Sequence, residues 1–215
     1  MAPTIYSAEE IPQGSPEWFA ARAGIPTCSE FRKVMAKVGP RGGTTHKEYV
    51  ERAKYMRTLA GEIITGEPAE SEWAGNRHTE RGHEREDEAR SLYALMYDVE
   101  PVRVGFIRNG NCGGSPDSLI GDDGGLELKD CLPHIQIERL QSGVLPPEYK
   151  WQVIGSLLVS EREWWDFMSH CRGLPPFVVR VRREDVKDEL AELRAGIDRF
   201  VDELNALVDW VGRMW

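Results

Sequence analysis

Two acidic residues and one lysine are spaced for metal-dependent chemistry in the middle of the chain. Asp117 follows a Ser-Pro pair, and after nine intervening residues comes the triplet Glu127-Leu128-Lys129. If the two segments are strands of one hairpin, Glu127 and Lys129 project from the same face, because alternate residues of a strand share a face. The residues Asp-Asp-Gly-Gly at 122–125 favour the turn of such a hairpin. The pattern therefore predicts two carboxylates and one ammonium group at one edge of a sheet.

This group of charges has an evident chemical use. Two carboxylates so close together repel each other unless they share a cation. Mg²⁺ is a hard ion that binds carboxylate oxygens and keeps several of its waters. The ammonium of Lys129 could orient or deprotonate an attacking water, or stabilise charge that develops on a phosphate. The alternative is a polar turn with a surface Glu–Lys pair, since this spacing arises by chance in roughly one chain in a few dozen.

A third carboxylate lies on the predicted buried stripe of a helix. The segment 79–97 carries apolar residues at helical spacing, and extending their stripe backward reaches Glu86. An ionised Glu on a buried face is costly unless it is paired or bound to a metal. We therefore predict that Glu86 completes a three-carboxylate site. An ion pair of Glu86 with Arg85 or Arg90 is the alternative.

The elements that must position these residues change in hydrophobic period near residue 100. Helix start signals and apolar spacing predict helices at 15–23, 27–35, 79–97 and 147–160, and a helix that starts at 45 and ends between 61 and 66. The chain ends in a long amphipathic helix, whose buried stripe runs from 190 to 207. Period-two patterns predict strands at 102–108, 112–120, 125–130, 163–170 and 177–183. This order indicates a single α/β domain over residues 1–215, in which helices flank a central mixed β-sheet.

Composition excludes several classes of protein. Of the 215 residues, 40% are hydrophobic and 29% are charged, which is typical of a globular domain and not of a disordered chain. No apolar run is long enough for a membrane span, and the first residues lack the pattern of a signal peptide. The four scattered cysteines indicate free thiols in a reducing compartment. We therefore expect a cytoplasmic protein without a membrane partner.

Several longer motifs occur in a fixed order along residues 14–160. They are an opening motif at 14–25 continued at 27–30, a G-x-x-x-E-x-x-A-R motif at 82–90, the pair of segments at 115–117 and 126–129, and a Y-x-x-Q-V motif at 149–153. Together they resemble the phage lambda exonuclease family, also called YqaJ-like viral recombinases. That family belongs to the PD-(D/E)xK nuclease superfamily, so the resemblance implies a restriction-endonuclease-like core.

The resemblance implies a role for each matched residue around two Mg²⁺ ions, for which Mn²⁺ would be able to substitute. Asp117 and Glu127 would bind metal, with the Leu128 carbonyl as a further ligand. Glu86 would help to hold the second ion. The remaining catalytic residues would be Lys129, which positions the nucleophilic water, and Gln152, which lies in the active site.

The resemblance also implies a pocket for a 5′-terminal phosphate, formed by Arg22, Ser29 and Ser115. A guanidinium fork and two hydroxyl groups are suitable donors for such a phosphate. For Arg22, an ion pair with Glu17 or Glu30 is the alternative.

Family members form a ring-shaped trimer around DNA, so the resemblance implies a homotrimer. The N-terminal helical part at 1–75 would contact DNA, ahead of a catalytic core at 76–183 and a C-terminal helix at 184–215. Arg41 resembles a family arginine that contacts the duplex, and a surface loop without this contact is the alternative. The net charge of −9 is compatible with a ring, because residues 18–60 hold nine Lys and Arg against three Glu and only the lumen must be basic.

The implied activity is a Mg²⁺-dependent 5′→3′ exonuclease that acts on double-stranded DNA ends with a 5′-phosphate. It would release mononucleotides and leave a 3′ single strand for a single-strand annealing protein. An endonuclease of restriction or repair type and a DNA-binding assembly module with a dead site remain alternatives. Asp130 departs from the family pattern, in which a small residue or Cys follows the lysine, and the segment 131–147 has no match.

Overall fold

The structure is a computed structural model that describes residues 2–36, 46–69 and 78–214. Its strands are β1 (Thr4–Ser7), β2 (Pro101–Val102), β3 (Val104–Asn109), β4 (Cys112–Gly114), β5 (Ser118–Ile120), β6 (Gly124–Asp130), β7 (Trp164–His170) and β8 (Phe177–Arg182). Its α-helices are α1 (Pro16–Arg22), α2 (Phe31–Val34), α3 (His46–Thr65), α4 (His78–Tyr97), α5 (Pro133–Ser142), α6 (Lys150–Ser160) and α7 (Lys187–Gly212). Short 3₁₀ helices lie at Cys28–Glu30, Pro147–Tyr149 and Arg183–Val186.

A mixed sheet of five strands, in the order β2-β5-β6-β7-β8, forms the centre of the domain. The pairing of β6 with β7 is parallel, and the other three pairings are antiparallel. Parallel neighbours need a crossover connection, and the chain makes it through α5 and α6. The prediction of a single α/β domain with a mixed sheet flanked by helices is confirmed.

Helices cover both faces of this sheet. On one face, Leu126 and Leu128 of β6 pack with Tyr93 of α4. On the other face, Trp165 and Phe167 of β7 lie in a larger core cluster to which α2, α3, α6 and α7 contribute. Because residues alternate along a strand, the leucines of β6 turn the intervening acidic residue toward the α6 face. This alternation orients the site described below.

The predicted strand 112–120 is wrong in one respect, because it is two strands in different sheets. β4 pairs with β3 in a second sheet of order β1-β3-β4, whereas β5 pairs with β6 in the central sheet. The chain passes from one sheet to the other at residues 115–117. Pro116 has no N–H group for a ladder hydrogen bond, which explains the interruption. Asp117 is thereby placed at the start of β5.

The strand β1, the helix α5 and the form of residues 27–30 also differ from prediction. β1 was not predicted, and its four residues pair with β3 about a hundred positions later. α5 was not predicted because its pattern is inverted: Gln136 and Arg139 are buried, whereas Ile137 is exposed. Residues 28–30 form a 3₁₀ turn where the first turn of an α-helix was predicted, and Thr27 makes no side-chain cap there. The predicted strand 102–108 is likewise divided, because β2 ends at Val102 in the central sheet and β3 begins at Val104 in the second sheet. The remaining predicted helices and strands are found within a few residues of their predicted bounds.

The β5–β6 hairpin is held tightly at its turn. The Arg162 guanidinium donates from Nη1 to the carbonyl oxygens of Gly121 and Gly124, each at 2.7 Å. A Cβ atom on Gly125 would come within 2.2 Å of the Trp165 ring, so only glycine fits there. The hairpin is therefore packed directly against β7 and the chain that precedes it. Within the described ranges, no helix is long and apolar enough to cross a membrane.

Candidate active site

The β5–β6 hairpin brings the predicted catalytic residues together at one end of the sheet. The Leu128 backbone N–H donates to Asp117 Oδ2 at 2.6 Å, so the Asp117 carboxylate lies beside β6. Glu127 is only 2% exposed. Lys129, two residues further along the strand, donates to Glu127 Oε1. Two carboxylates and one ammonium group thus share one site, as the spacing predicts.

The helix α6 supplies a fourth member of this group. Gln152 lies in the first turn of α6 and donates from Nε2 to the same Glu127 Oε1 that Lys129 contacts. Glu127 faces α6 because the leucines on either side of it pack on α4. The structure therefore places Gln152 in contact with the predicted metal ligand, where the motif at 149–153 implied it.

The charges within the site are unbalanced toward the negative. Burial raises the pKa of Asp117, and the neighbouring Glu127 carboxylate raises it further, while Lys129 and the bond from Leu128 act in the opposite direction. Burial would lower the pKa of Lys129, but the carboxylates of Glu127 and Asp117 outweigh burial and raise it above its usual value. The two carboxylates therefore favour the charged form of Lys129 in this arrangement.

These residues fit a hard cation. Two carboxylates and the adjacent Leu128 carbonyl are oxygen donors, which is the ligand type of Mg²⁺. Burial and, after it, the charge of Glu127 raise the pKa of Asp117, and a bound cation would offset both effects. Among the described residues, however, no group of three or more His, Cys, Asp or Glu side chains lies close enough to hold an ion. The predicted three-carboxylate site is not formed in this arrangement.

Glu86 is held instead by Arg90, which was the alternative at the sequence level. Arg90 Nη2 donates to Glu86 and, at 3.2 Å, to the Asp117 carbonyl oxygen. Its Nε donates to Ser118 Oγ at 2.9 Å, and its Nη1 donates to Asp87 at 2.6 Å. Arg90 is buried and therefore links the Glu86 carboxylate on α4 to the backbone beside the hairpin. Glu86 approaches from the α4 face of the sheet, opposite Gln152.

Asp130 does not add free charge to the site. It forms an ion pair with Arg85 of α4. The departure from the family pattern at this position is thus neutralised locally. Arg85 and Arg90 together fasten α4 to both strands of the hairpin.

The predicted phosphate-pocket residues are connected through Trp18. The Trp18 indole Nε1 donates to Ser115 Oγ at 2.8 Å, and the Arg22 guanidinium lies 4.0 Å from the centroid of the same indole ring. Arg22 also donates to Thr27 Oγ1 at 3.4 Å. No described carboxylate forms a salt bridge with Arg22, and Glu30 pairs with a lysine instead. The alternative of an Arg22 ion pair with Glu17 or Glu30 is therefore not observed.

The backbone brings the remaining pocket segment to the same place. Thr27 forms a parallel bridge with Gly113, two residues before Ser115, and Ser29 is exposed on the 3₁₀ turn that follows. Burial raises the pKa of the intervening Cys28, and the charges of Glu127 and Arg22 act on this thiol in opposite directions. Arg41 lies outside the described residues.

Sequence reasoning missed three residues that support this site. Trp18 belongs to the opening motif, so its type was visible, but its contact with Ser115 spans 97 positions. Arg90 was considered only as an ion-pair partner of Glu86, and no sequence pattern indicated its hydrogen bond to the Asp117 carbonyl oxygen. Arg139, in the unmatched segment 131–147, is buried beside Tyr149. No motif pointed to it.

Comparison with known proteins gives one matching family and two similar proteins of known structure. The sequence model of the YqaJ-like viral recombinase domain matches residues 17–163. No curated protein sequence matches the chain significantly. The alkaline exonuclease LHK-Exo from Laribacter hongkongensis is 31% identical, with a TM-score of 0.77, and the match covers 93% of this chain and 97% of that one.

LHK-Exo matches equally well in its complex with dAMP, at 31% identity and a TM-score of 0.77. A phage-related exonuclease from Haemophilus somnus 129PT is 15% identical, with a TM-score of 0.57, and the match covers 85% of this chain and 95% of that one. At this identity the second protein shows likeness of fold alone.

Proposed function

Since the chain belongs to the YqaJ-like viral recombinase family, we propose that it is an exonuclease that degrades one strand of linear double-stranded DNA from the 5′ end. The products would be mononucleotides and a 3′ single-stranded overhang. The similarity to an alkaline exonuclease over 93% of the chain supports a nuclease role. The complex of that enzyme with dAMP agrees with a deoxynucleotide product.

The observation that carries this proposal is the convergence on Glu127. Lys129 and Gln152 both donate to its Oε1, and Asp117 lies next to it through the bond from Leu128. Two buried carboxylates with one ammonium contribute little to stability, because burying the charges costs about as much as their attraction returns and apolar residues often serve as well. The arrangement is suited to phosphodiester hydrolysis, in which charge develops on a phosphate.

Asp117, Glu127 and the Leu128 carbonyl would hold a Mg²⁺ ion. When bound, the ion would supply a Lewis acid and a more acidic water. Glu86 is the proposed ligand of a second ion. Binding this ion would replace the hydrogen bond that Glu86 accepts from Arg90. Lys129 would orient the attacking water and stabilise the charge on the phosphate.

A pocket for the 5′-terminal phosphate is the basis of the proposed polarity. Arg22 offers a charged fork with no salt bridge to a described carboxylate, and Ser115 and Ser29 offer hydroxyl groups. Arginine binds phosphate in a bidentate manner. Because Ser115 is two residues from Asp117, a phosphate bound there would place the first phosphodiester near the hairpin. Hydrolysis would regenerate the 5′-phosphate for the next cycle.

We further propose that the protein acts as a homotrimer around DNA and passes the 3′ strand to a single-strand annealing protein for recombination. Both proposals rest on the family resemblance. Apart from the buried Arg52, which is bonded to Glu203, the basic residues of segment 18–60 support a lumen that faces DNA.

The test compares 5′-phosphorylated with 5′-hydroxyl linear duplex under single-turnover conditions. The wild type should degrade the phosphorylated end at least about tenfold faster, because charge-assisted phosphate contacts contribute about 1.5–3 kcal/mol. Arg22→Ala should remove most of this preference. Arg32→Ala is a matched control, because Arg32 is a neighbouring arginine that is exposed and paired with Glu48 at 3.6 Å.

Equal wild-type rates on both ends would contradict the pocket and favour the endonuclease. Cleavage of closed circular duplex would also favour the endonuclease. A protein that neither cuts DNA nor binds Mg²⁺ in a calorimetric titration would be the assembly module.

A further inference from the structure

The helix α5 carries buried polar side chains that neither the hairpin nor the phosphate pocket requires. Arg139 is 6% exposed and Gln136 is fully buried, while Ile137 on the same helix is exposed. Burying a guanidinium group is costly unless its donors find partners. The inward orientation of α5 therefore has to be explained by what Arg139 contacts.

Arg139 contacts residues that border the active site. Its Nη1 donates to Ser169 Oγ at 2.8 Å, and its Nη2 donates to the Tyr149 hydroxyl at 3.4 Å. Its guanidinium carbon lies 5.3 Å from the Tyr149 ring centroid and 5.6 Å from that of Phe167. The ion pair with Glu148 is longer, at 3.7 Å. Neutral groups thus supply most of its contacts, in a geometry that requires a planar fork.

Both hydrogen bonds of Arg139 lead to Lys129. Ser169 is the register partner of Lys129 in the parallel pairing of β6 with β7. The centroid of the Tyr149 ring lies 5.6 Å from Lys129 Nζ. The ring of Tyr149 therefore contacts two cations, Lys129 of the candidate site and Arg139 of α5.

Tyr149 also sets the start of α6. It is the residue immediately before this helix, and Gln152 follows three positions later. The Tyr149 ring packs on Phe167 with centroids 4.9 Å apart, and Phe167 is the register partner of Glu127. A fixed Tyr149 thus fixes the first turn of α6 relative to the strand that carries Glu127.

We propose that Arg139 is a positioning residue for the nuclease reaction. It fixes Tyr149, and through Tyr149 it holds the Lys129 ammonium and the Gln152 amide against Glu127. This inference rests on the proposed function, because it concerns the rate of that reaction. Small displacements of catalytic groups lower rates by large factors, so the contact matters beyond stability.

The test uses three variants of buried residues. Arg139→Met keeps the length of the side chain and removes the fork, and Arg139→Lys keeps the charge without the fork. Arg52→Met is the matched control, because Arg52 is also buried, bonds Glu203 at 2.8 Å and lies 5.0 Å from the Phe200 ring centroid in the α3–α7 contact. Loss of the Arg52 guanidinium should lower the stability of the protein without displacing Lys129.

At saturating DNA and Mg²⁺, well below the melting temperatures, Arg139→Met should lower the single-turnover rate by about tenfold to a hundredfold. The Kd for DNA ends should stay within about twofold, and Arg52→Met should keep its rate within the same factor. Arg139→Lys should recover stability more than rate. When Tyr149 is already replaced by Ala, adding Arg139→Met should lower the single-turnover rate little further, because the ring through which Arg139 acts is absent.

Equal rates of Arg139→Met and Arg52→Met, or fully additive effects of Arg139→Met and Tyr149→Ala, would overturn the proposal. Hydrogen exchange separates this result from a failure of the proposed function. Arg139→Met should increase amide exchange across 147–153, and Arg52→Met should not. If the wild type does not degrade DNA but this exchange pattern is found, the proposed function is wrong and the positioning contact remains. Unchanged exchange in Arg139→Met would refute the contact itself.

Discussion

Replacing Asp117 by Asn should make the metal-free protein more stable while abolishing its activity. Asn is nearly isosteric and can still accept the 2.6 Å hydrogen bond from Leu128, so the hairpin geometry is retained. The substitution removes one of two neighbouring negative charges. Because burial and Glu127 raise the pKa of Asp117, its ionised form destabilises the folded protein near neutral pH.

The size of the effect follows from linkage. Each unit by which folding raises a carboxyl pKa corresponds to about 1.4 kcal/mol of lost stability above that pKa. For a domain of about 200 residues, 1 kcal/mol moves the Tm by about 2–4 °C. In EDTA at pH 8, we therefore expect Asp117→Asn to melt at least about 3 °C above the wild type. Toward pH 4 the difference should shrink, because the folded-state carboxyl is then protonated and the unfolded-state carboxyl is about half protonated.

The assay is thermal unfolding from pH 4 to pH 8, with EDTA and then with Mg²⁺. Mg²⁺ should raise the Tm of the wild type and not that of the variant, because ligand binding stabilises only the form that binds it. Asp166→Asn is the control, since Asp166 is 1% exposed but bonded to Arg180 at 2.7 and 2.9 Å. That variant should melt below the wild type. A metal-free Asp117→Asn protein that melts below the wild type at pH 8, or an equal Mg²⁺ shift in both, would refute the reasoning.

Two further substitutions test the hairpin. Lys129→Ala should lower the single-turnover rate by at least about a hundredfold while DNA-end affinity changes little, because its charge acts mainly in the transition state; a parallel loss of affinity, measured by fluorescence anisotropy, would make Lys129 a phosphate anchor instead. Gly125→Ala should destabilise the protein by about 1–3 kcal/mol, because its Cβ would lie 2.2 Å from the fully buried Trp165 ring. In the same denaturant titration, Gly61→Ala in α3 should be neutral or stabilising, since nothing lies within 4 Å of its Cβ; similar losses in both would argue against the packing explanation.

The catalytic hairpin was predictable because its information is local. Alternation along β6 separates Glu127 and Lys129 from the leucines, and the turn at 122–125 supplies glycines where β6 begins. The position of Gln152 came from a motif and not from periodicity. These features need only a short stretch of sequence.

The supports of the site were not predictable because they depend on distant contacts. The helix α5 turns Arg139 inward, against its hydrophobic pattern, since Ser169 and Tyr149 lie beneath it. The exchange of sheets at Pro116 depends on which strands are available as partners. The Glu86 ion pair shows the same limit, because sequence alone could not decide between a metal and Arg90.

The pairing of β1 with β3 has a consequence for synthesis on the ribosome. Thr4 pairs with Arg108, so the first strand has no partner until more than a hundred residues have been made. Glu127 likewise cannot make its contacts with Gln152 and with the parallel strand β7 until the chain has been made as far as His170, where β7 ends. Such distant pairings form late, because a long loop must close before they contribute. The residues of the candidate site therefore cannot come together in a growing chain until the segment up to His170 has emerged.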